Sequence, residues 1–213
     1  PWAMHDTRVA PTTTPGNLVT GAQYVPFHRE DPELLALLYN LLAATFTSPS
    51  GALAQDLADG RLQEVVTELA TRLGTEAPRT QPDVRNLAPA YVDLFVSSAT
   101  GLTSPPYVGY AVDGELLGAT AEAMGRFLKA NDVGIAAQWR DLPDHLAAVS
   151  EAGLFLLGMQ RDSEAFELLE RYVAPWFDRY ATAVAPKDTS GFYGPLVTFL
   201  HASIREVTRG TGS

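Results

Sequence analysis

Apolar residues recur at helical spacing along most of the chain, and this pattern predicts most of its secondary structure. The first helix is expected to begin at Asp31-Pro32, an N-cap followed by a proline at the first helical position. Its apolar stripe runs from Leu34 to Phe46, and Ser48-Pro49 ends it. No stretch alternates convincingly with a period of two, so strands are not predicted.

The same pattern predicts eight further helices. The first four are expected over residues 52–58, over 61–73, from Pro82 onward with Pro89 as a kink or a split, and over 114–130. The fifth is expected from Pro143 to about Met159, and the sixth begins after Ser163 as its cap. Pro175 is expected to break the sixth helix, the seventh continues from Trp176, and the eighth follows Asp188. The expected fold is an all-α, single-domain bundle of about eight or nine helices. Residues 1–28 are expected to form a mobile tail and residues 29–210 the helical domain.

The stretch from Ser97 to Asp113 shows no helical period and is expected to be a long loop. Loops of this length are usually functional in compact domains. Pro105 and Pro106 stiffen it, and Tyr107 and Tyr110 stand beside them. The tyrosines are expected either to line a binding groove or to plug the core beneath a crossover connection.

Asp144 and His145 follow Pro143 and are expected in the first turn of the next helix. One interpretation makes Asp144 a helix cap and leaves His145 exposed. The other places both at the rim of a groove, where an acid and an imidazole could hold an arginine or a peptide backbone. Because adjacent residues on a helix point in different directions, the pair is a poor catalytic dyad.

Composition narrows the possible functions. The 213 residues carry 15 basic and 25 acidic side chains, a net charge of −10. This charge argues against a nucleic-acid partner, and it favours either a cationic partner or simply solubility. Cysteine is absent, which excludes disulfides and thiol catalysis. The four histidines are not spaced for a helical metal site, no phosphate-binding glycine motif occurs, and no cofactor is predicted. No apolar run is long enough for a membrane span.

Five short motifs, in order and spacing, resemble the TorD/DmsD/NarJ family of redox-enzyme maturation chaperones. They are Tyr91–Phe95 (YVDLF), Ser104–Tyr107 (SPPY) with Tyr110, Leu142–Ala147 (LPDHLA), Ala174–Phe177 (APWF) and Gly191–Tyr193 (GFY). Where the family often has a glutamate six residues after the motif's proline, this chain has Val149, with Glu151 two residues later.

The resemblance implies an all-helical cytoplasmic chaperone without enzymatic activity. Its partner would be the catalytic subunit of a molybdopterin-containing oxidoreductase, bound through a twin-arginine signal peptide, or an N-terminal remnant of one, before cofactor insertion and export. The implied peptide-binding residues are Tyr107, Tyr110, Asp144 and His145, in a site shaped by Pro105, Pro106 and Pro143. A small helical enzyme acting on a nucleotide and a permanently packed structural subunit are the alternatives. Membrane insertion is not expected, and the protein could be a monomer or a dimer.

Overall fold

The computed structural model describes residues 31–80, 82–97, 104–134 and 139–209. The tail expected for residues 1–28 lies outside these ranges, as does residue 210 at the predicted end of the domain. Within them the chain forms ten α-helices: α1 Pro32–Phe46, α2 Gly51–Ala58, α3 Arg61–Leu73, α4 Val84–Tyr91, α5 Val108–Asp113, α6 Ala119–Ala130, α7 Leu146–Gly158, α8 Asp162–Tyr172, α9 Ala174–Val184 and α10 Tyr193–Thr208.

The all-α prediction is confirmed, and nine of the ten helices correspond to predicted ones. The tenth, α5, occupies the end of the stretch that was predicted to be a loop, so that part of the prediction is wrong. Its six residues are too few to show a helical period in sequence. Two of its first backbone N–H groups find acceptors on another segment, which the sequence pattern cannot reveal.

Helix α1 lies at the centre of the molecule. Leucines on several of its faces are fully buried, which is the pattern of a helix surrounded by others. It contacts α3, α7, α8 and α10. Its start is the predicted one: the Asp31 carboxylate accepts from the N–H groups of Glu33 and Leu34, and Pro32 is the first helical residue.

The contact between α1 and α7 depends on a glycine. Tyr39 of α1 is fully buried, and its hydroxyl donates to the carbonyl of Ala165 at 2.7 Å. A Cβ on Gly153 of α7 would lie 2.3 Å from Cζ of the Tyr39 ring. Only glycine allows the ring to lie flat against the α7 backbone, and this fixes how close the two helices come.

The helix predicted over 114–130 begins only at Ala119, because Gly114 ends α5 in the left-handed conformation, so the predicted start is wrong. The helix expected from Pro82 begins at Val84 with Asp83 as its cap, and a π-helical turn, Val92–Val96, follows Pro89 and α4. Ser163 does not cap α8, because that helix already begins at Asp162. The break at Pro175 is confirmed, since α9 begins at Ala174.

Candidate functional site

Tyr107 and His145 lie opposite each other in an isolated antiparallel bridge. The N–H of Val108 donates to the carbonyl of Asp144 at 3.0 Å. The N–H of the residue after His145 donates to the carbonyl of Pro106 at 2.8 Å. The structure thus joins the two motif segments that the sequence separates by more than thirty residues.

The proline segment, Ser104–Pro106, is held in place by two hydrogen bonds at Ser104. The N–H of Ser104 donates to the carbonyl of Leu94 at 2.8 Å, and the Tyr180 hydroxyl donates to the carbonyl of Ser104 at 2.8 Å. Pro106 is buried and Pro105 is half-buried. Because each proline also fixes its own φ angle, this segment presents Tyr107 in a defined position.

Asp144 is fully buried, with 0% of its surface exposed. Its Oδ2 accepts from the N–H of Gly109 at 2.9 Å, and its Oδ1 has no hydrogen-bond partner among the described residues. A Cβ on Gly109 would lie 3.1 Å from that Oδ2 and 3.1 Å from the Cβ of Ala121. The Asp144 side chain therefore accepts a hydrogen bond from a backbone N–H at the start of α5, and it does not cap α7, the helix that follows it in sequence.

His145 caps α7. Its Nδ1 accepts from the N–H of Ala147 at 3.2 Å, so the neutral ring carries its proton on Nε2. The side chain is only 5% exposed, and the interpretation of an exposed His145 is wrong. Burial lowers the pKa of His145, while the nearby carboxylates of Asp141 and Asp144 act in the opposite direction.

The expected helix start at Pro143 is also wrong. Helix α7 begins at Leu146, so Pro143, Asp144 and His145 precede it. The reason is the bridge: the N–H of Leu146 donates to the carbonyl of Pro106 on the opposite segment. Residues in an extended bridge cannot also have the backbone angles of a first helical turn.

Three rings meet at the bridge. The rings of Tyr107 and His145 pack edge to face with centroids 5.1 Å apart, and the Trp139 ring is 6.0 Å from that of His145. The Tyr107 hydroxyl donates to Oδ1 of Asp141 at 2.8 Å, and the Trp139 Nε1–H donates to the carbonyl of Leu142 at 3.2 Å. Burial raises the pKa of Tyr107, and the bond to Asp141 raises it further.

Tyr110 does not belong to this ring cluster. It is 42% exposed on α5, and in the described part of the chain its side chain forms no hydrogen bond or ring contact. The core-plug interpretation is therefore wrong for Tyr110. Two further exposed apolar residues, Leu116 and Leu117, follow in the turn between α5 and α6.

An apolar groove of about 190 Å³ begins at Trp139 and Pro143. Its other walls are the end of α6, the segment after it, and the outer face of α7. The residues that line it are Leu128, Val133, Gly134, Trp139, Pro143, Ala148, Glu151, Ala152 and Phe155. Phe155 is 49% exposed, although it is a large apolar side chain.

Sequence reasoning did not identify Trp139, Glu151 or Phe155 as candidate site residues. A signal for Phe155 was present, because it lies outside the inward-facing stripe of α7. Nothing in the sequence marks Trp139, whose ring the structure places 6.0 Å from that of His145.

In the ranges that the structure describes, no three His, Cys, Asp or Glu side chains are grouped to hold a metal ion. None of the described helices is both long and apolar enough to cross a membrane.

Comparison with known proteins identifies the family. The model of the family described as "Nitrate reductase delta subunit" matches residues 55–182, which is more than half of the chain and includes the whole site. The chain belongs to the nitrate reductase delta subunit family. The resemblance to redox-enzyme maturation chaperones of the TorD/DmsD/NarJ type is thereby confirmed.

Two individual proteins are similar to this family member. The chaperone protein TorD of Shewanella pealeana is 24% identical over 184 residues, which cover 82% of this chain and 79% of the relative. A crystal structure of a redox enzyme maturation protein from Archaeoglobus fulgidus matches with a TM-score of 0.48 and 19% identity, covering 91% of this chain and 99% of the other.

Proposed function

We propose that this protein is a chaperone that binds the N-terminal, twin-arginine signal peptide of the catalytic subunit of a molybdenum oxidoreductase. It would act in the cytoplasm, without turnover of its own, and assist cofactor insertion and assembly before export. Membership of the nitrate reductase delta subunit family supports this proposal, as does the similarity to a protein named as a chaperone.

The geometry that carries the proposal is the bridge between Tyr107 and His145, because the Trp139 ring near His145 also lines an apolar groove. A surface that is already ordered binds a peptide more tightly, because ordering a loop on binding costs free energy. The stiff proline segment and its hydrogen bonds provide such a surface. The groove beside it offers apolar walls for side chains.

The proposed peptide-binding residues differ in their exposure to solvent. Tyr107, Tyr110 and Pro143 have exposed surface and would contact the peptide. Pro105 would shape the segment that carries Tyr107. Three further residues, Pro106, Asp144 and His145, are buried and would act by holding the two segments together.

The test is a calorimetric titration of the purified protein with the N-terminal signal peptides of molybdoenzymes from its source organism. Each peptide is paired with a version in which two lysines replace the arginine pair. Micromolar or tighter binding of one peptide, weakened in its lysine version, is the expected result. Absence of binding across the whole set would contradict the proposal.

A competition experiment with a labelled copy of the bound peptide separates a chaperone from a permanent subunit. A chaperone must release its partner, so the bound peptide should exchange with unlabelled peptide within the experiment. A partner that copurifies in fixed ratio and never exchanges would instead indicate a permanently assembled subunit.

A further inference from the structure

Glu151 is an acidic residue in an otherwise mostly apolar groove. It lies one helical turn before Phe155 on α7, so both side chains are on the same face of the helix. Its side chain is exposed, and within the described residues it forms no ion pair or hydrogen bond. A carboxylate placed among apolar walls without a cation is available for a ligand's positive group.

The other acids near the ring cluster are not available in this way. Asp144 is fully buried, and one of its oxygens already accepts from the N–H of Gly109. The Oδ1 of Asp141 accepts from the Tyr107 hydroxyl and from the N–H of Leu142. Glu151 is the only acidic residue among the described residues that line the groove, so it is the carboxylate that a cation in the groove would meet.

The residues that line the groove indicate which kind of cationic group it would bind. Phe155 and Trp139 offer aromatic surface, and Leu128 and Val133 offer aliphatic surface. A guanidinium suits this mixture better than an ammonium, because it is planar, bonds a carboxylate through two N–H groups and stacks on aromatic rings. The net charge of −10 favours the approach of such a peptide.

We infer that Glu151 reads an arginine of a peptide whose adjoining apolar side chains lie in the groove against Phe155. This inference rests on the proposed function and assigns its cation recognition to Glu151 instead of the buried Asp144. It also assigns the apolar part of the peptide to the groove between α6 and α7.

The test uses the peptide that binds best in the titration and a version in which glutamine replaces its arginines. Both are titrated into wild type, Glu151→Gln and a matched control, Glu76→Gln. Glu76 is an exposed glutamate after α3 that has no partner in the described structure, so its change removes the same charge elsewhere.

We expect reduced affinity only when the Glu151→Gln variant meets the arginine peptide. Glu151→Gln should bind the arginine peptide about three- to tenfold more weakly, the effect of losing a partly desolvated charge pair. It should bind the glutamine peptide as wild type does, and Glu76→Gln should leave the affinity for the arginine peptide unchanged.

Three results would overturn the inference. Equal binding of the arginine peptide by Glu151→Gln and wild type would remove Glu151 from recognition and leave the proposed function intact. An equal loss for both peptides would mean that Glu151 supports the groove without reading the cation. If wild type bound no signal peptide at all, the proposed function and this inference would both fail.

Discussion

The buried carboxylate of Asp144 accepts a hydrogen bond from the backbone N–H of Gly109, 35 residues earlier in the chain, at 2.9 Å. This bond ties the start of α5 to the segment before α7. It lies next to the bridge that brings Tyr107 against His145. The position of the Tyr107 ring thus depends on a carboxylate that is itself fully buried.

Asp144→Ala should therefore weaken both folding and peptide binding. It leaves the N–H of Gly109 buried without an acceptor, which costs about 1–3 kcal/mol in the free energy of unfolding. Peptide affinity should fall by a similar amount because the Tyr107 segment is no longer held. Urea unfolding and calorimetric titration measure the two effects.

Asp144→Asn distinguishes a positioning role from direct contact. Asparagine keeps an oxygen that accepts from Gly109 but carries no charge. We expect this variant to bind the peptide nearly as well as wild type. A loss of affinity at unchanged stability would show that the charge of Asp144 itself contacts the ligand.

Gly153→Ala should destabilise the protein. The added Cβ would lie 2.3 Å from the Tyr39 ring, and that ring is fully buried between α1 and α7. Moving the two helices apart should cost about 1–3 kcal/mol or more in the free energy of unfolding.

Gly158→Ala on the same helix is the matched control, because its Cβ would meet no atom within 4 Å. It should be neutral or should raise the free energy of unfolding by about 0.5 kcal/mol, because alanine lowers the conformational entropy of the unfolded chain. If both alanines cost the same, the close contact with Tyr39 is not what limits the substitution.

Stability should decrease on mild acidification because of His145. Burial places its pKa in the folded protein below the ordinary value of about 6.5, so the unfolded chain binds the proton more readily. The contribution is fully present above about pH 7 and is lost as the pH falls from about 6.5 through the folded pKa. Protonation of Nδ1 would also remove the acceptor for the N–H of Ala147.

His145→Asn isolates this effect, because asparagine is a good N-cap that does not titrate. Unfolding measured between pH 7.5 and about pH 5.5, the range around the ordinary histidine pKa, should give a flatter curve for the variant. Parallel curves for the two proteins would contradict a role of His145.

Tyr107 and Tyr110 should respond differently to removal of their rings. Tyr107→Ala should lower both stability and peptide affinity, since it removes the bond to Asp141 and the contact with His145. Tyr110→Ala should lower affinity alone, because the ring is exposed on α5. An unchanged affinity of the Tyr110 variant would place the peptide away from α5.

Phe155→Ala should weaken binding of the arginine and glutamine peptides alike. The expected loss is about 1–2 kcal/mol of binding free energy, because apolar peptide surface that Phe155 would cover stays exposed to water. Leu116→Ala is the control, since Leu116 is 51% exposed, much like Phe155, but lies outside the groove. A loss of affinity with Leu116→Ala and none with Phe155→Ala would move the docking surface to the turn between α5 and α6.

Local rules were sufficient for most of the helices. Asp31-Pro32 begins α1, Gly74 ends α3 in the left-handed conformation, and Pro175 separates α8 from α9. Each of these features depends on a few neighbouring residues, namely a cap, a ring-restricted φ angle or a missing Cβ. The family resemblance also rested on short motifs, and the family match confirms it.

The candidate site was predicted only in part. The sequence pointed to Tyr107, Tyr110, Asp144 and His145, and the structure brings three of them together at one bridge. It could not show that Asp144 and His145 are buried, because burial depends on what packs against a residue. It also did not point to Trp139, whose ring lies near that of His145 in the structure.

The amino-acid sequence by itself determined the helical class, most helix boundaries and the acidic charge, because periodicity, caps and composition are local or additive properties. Only the tertiary structure decided which groups are accessible. The pairing of Tyr107 with His145 turned an expected helical turn into a bridge. The structure also buries the acid of the motif, Asp144, and leaves Glu151 exposed on the groove. Pairing between segments far apart in sequence arises from packing of the whole chain, and no local pattern encodes it.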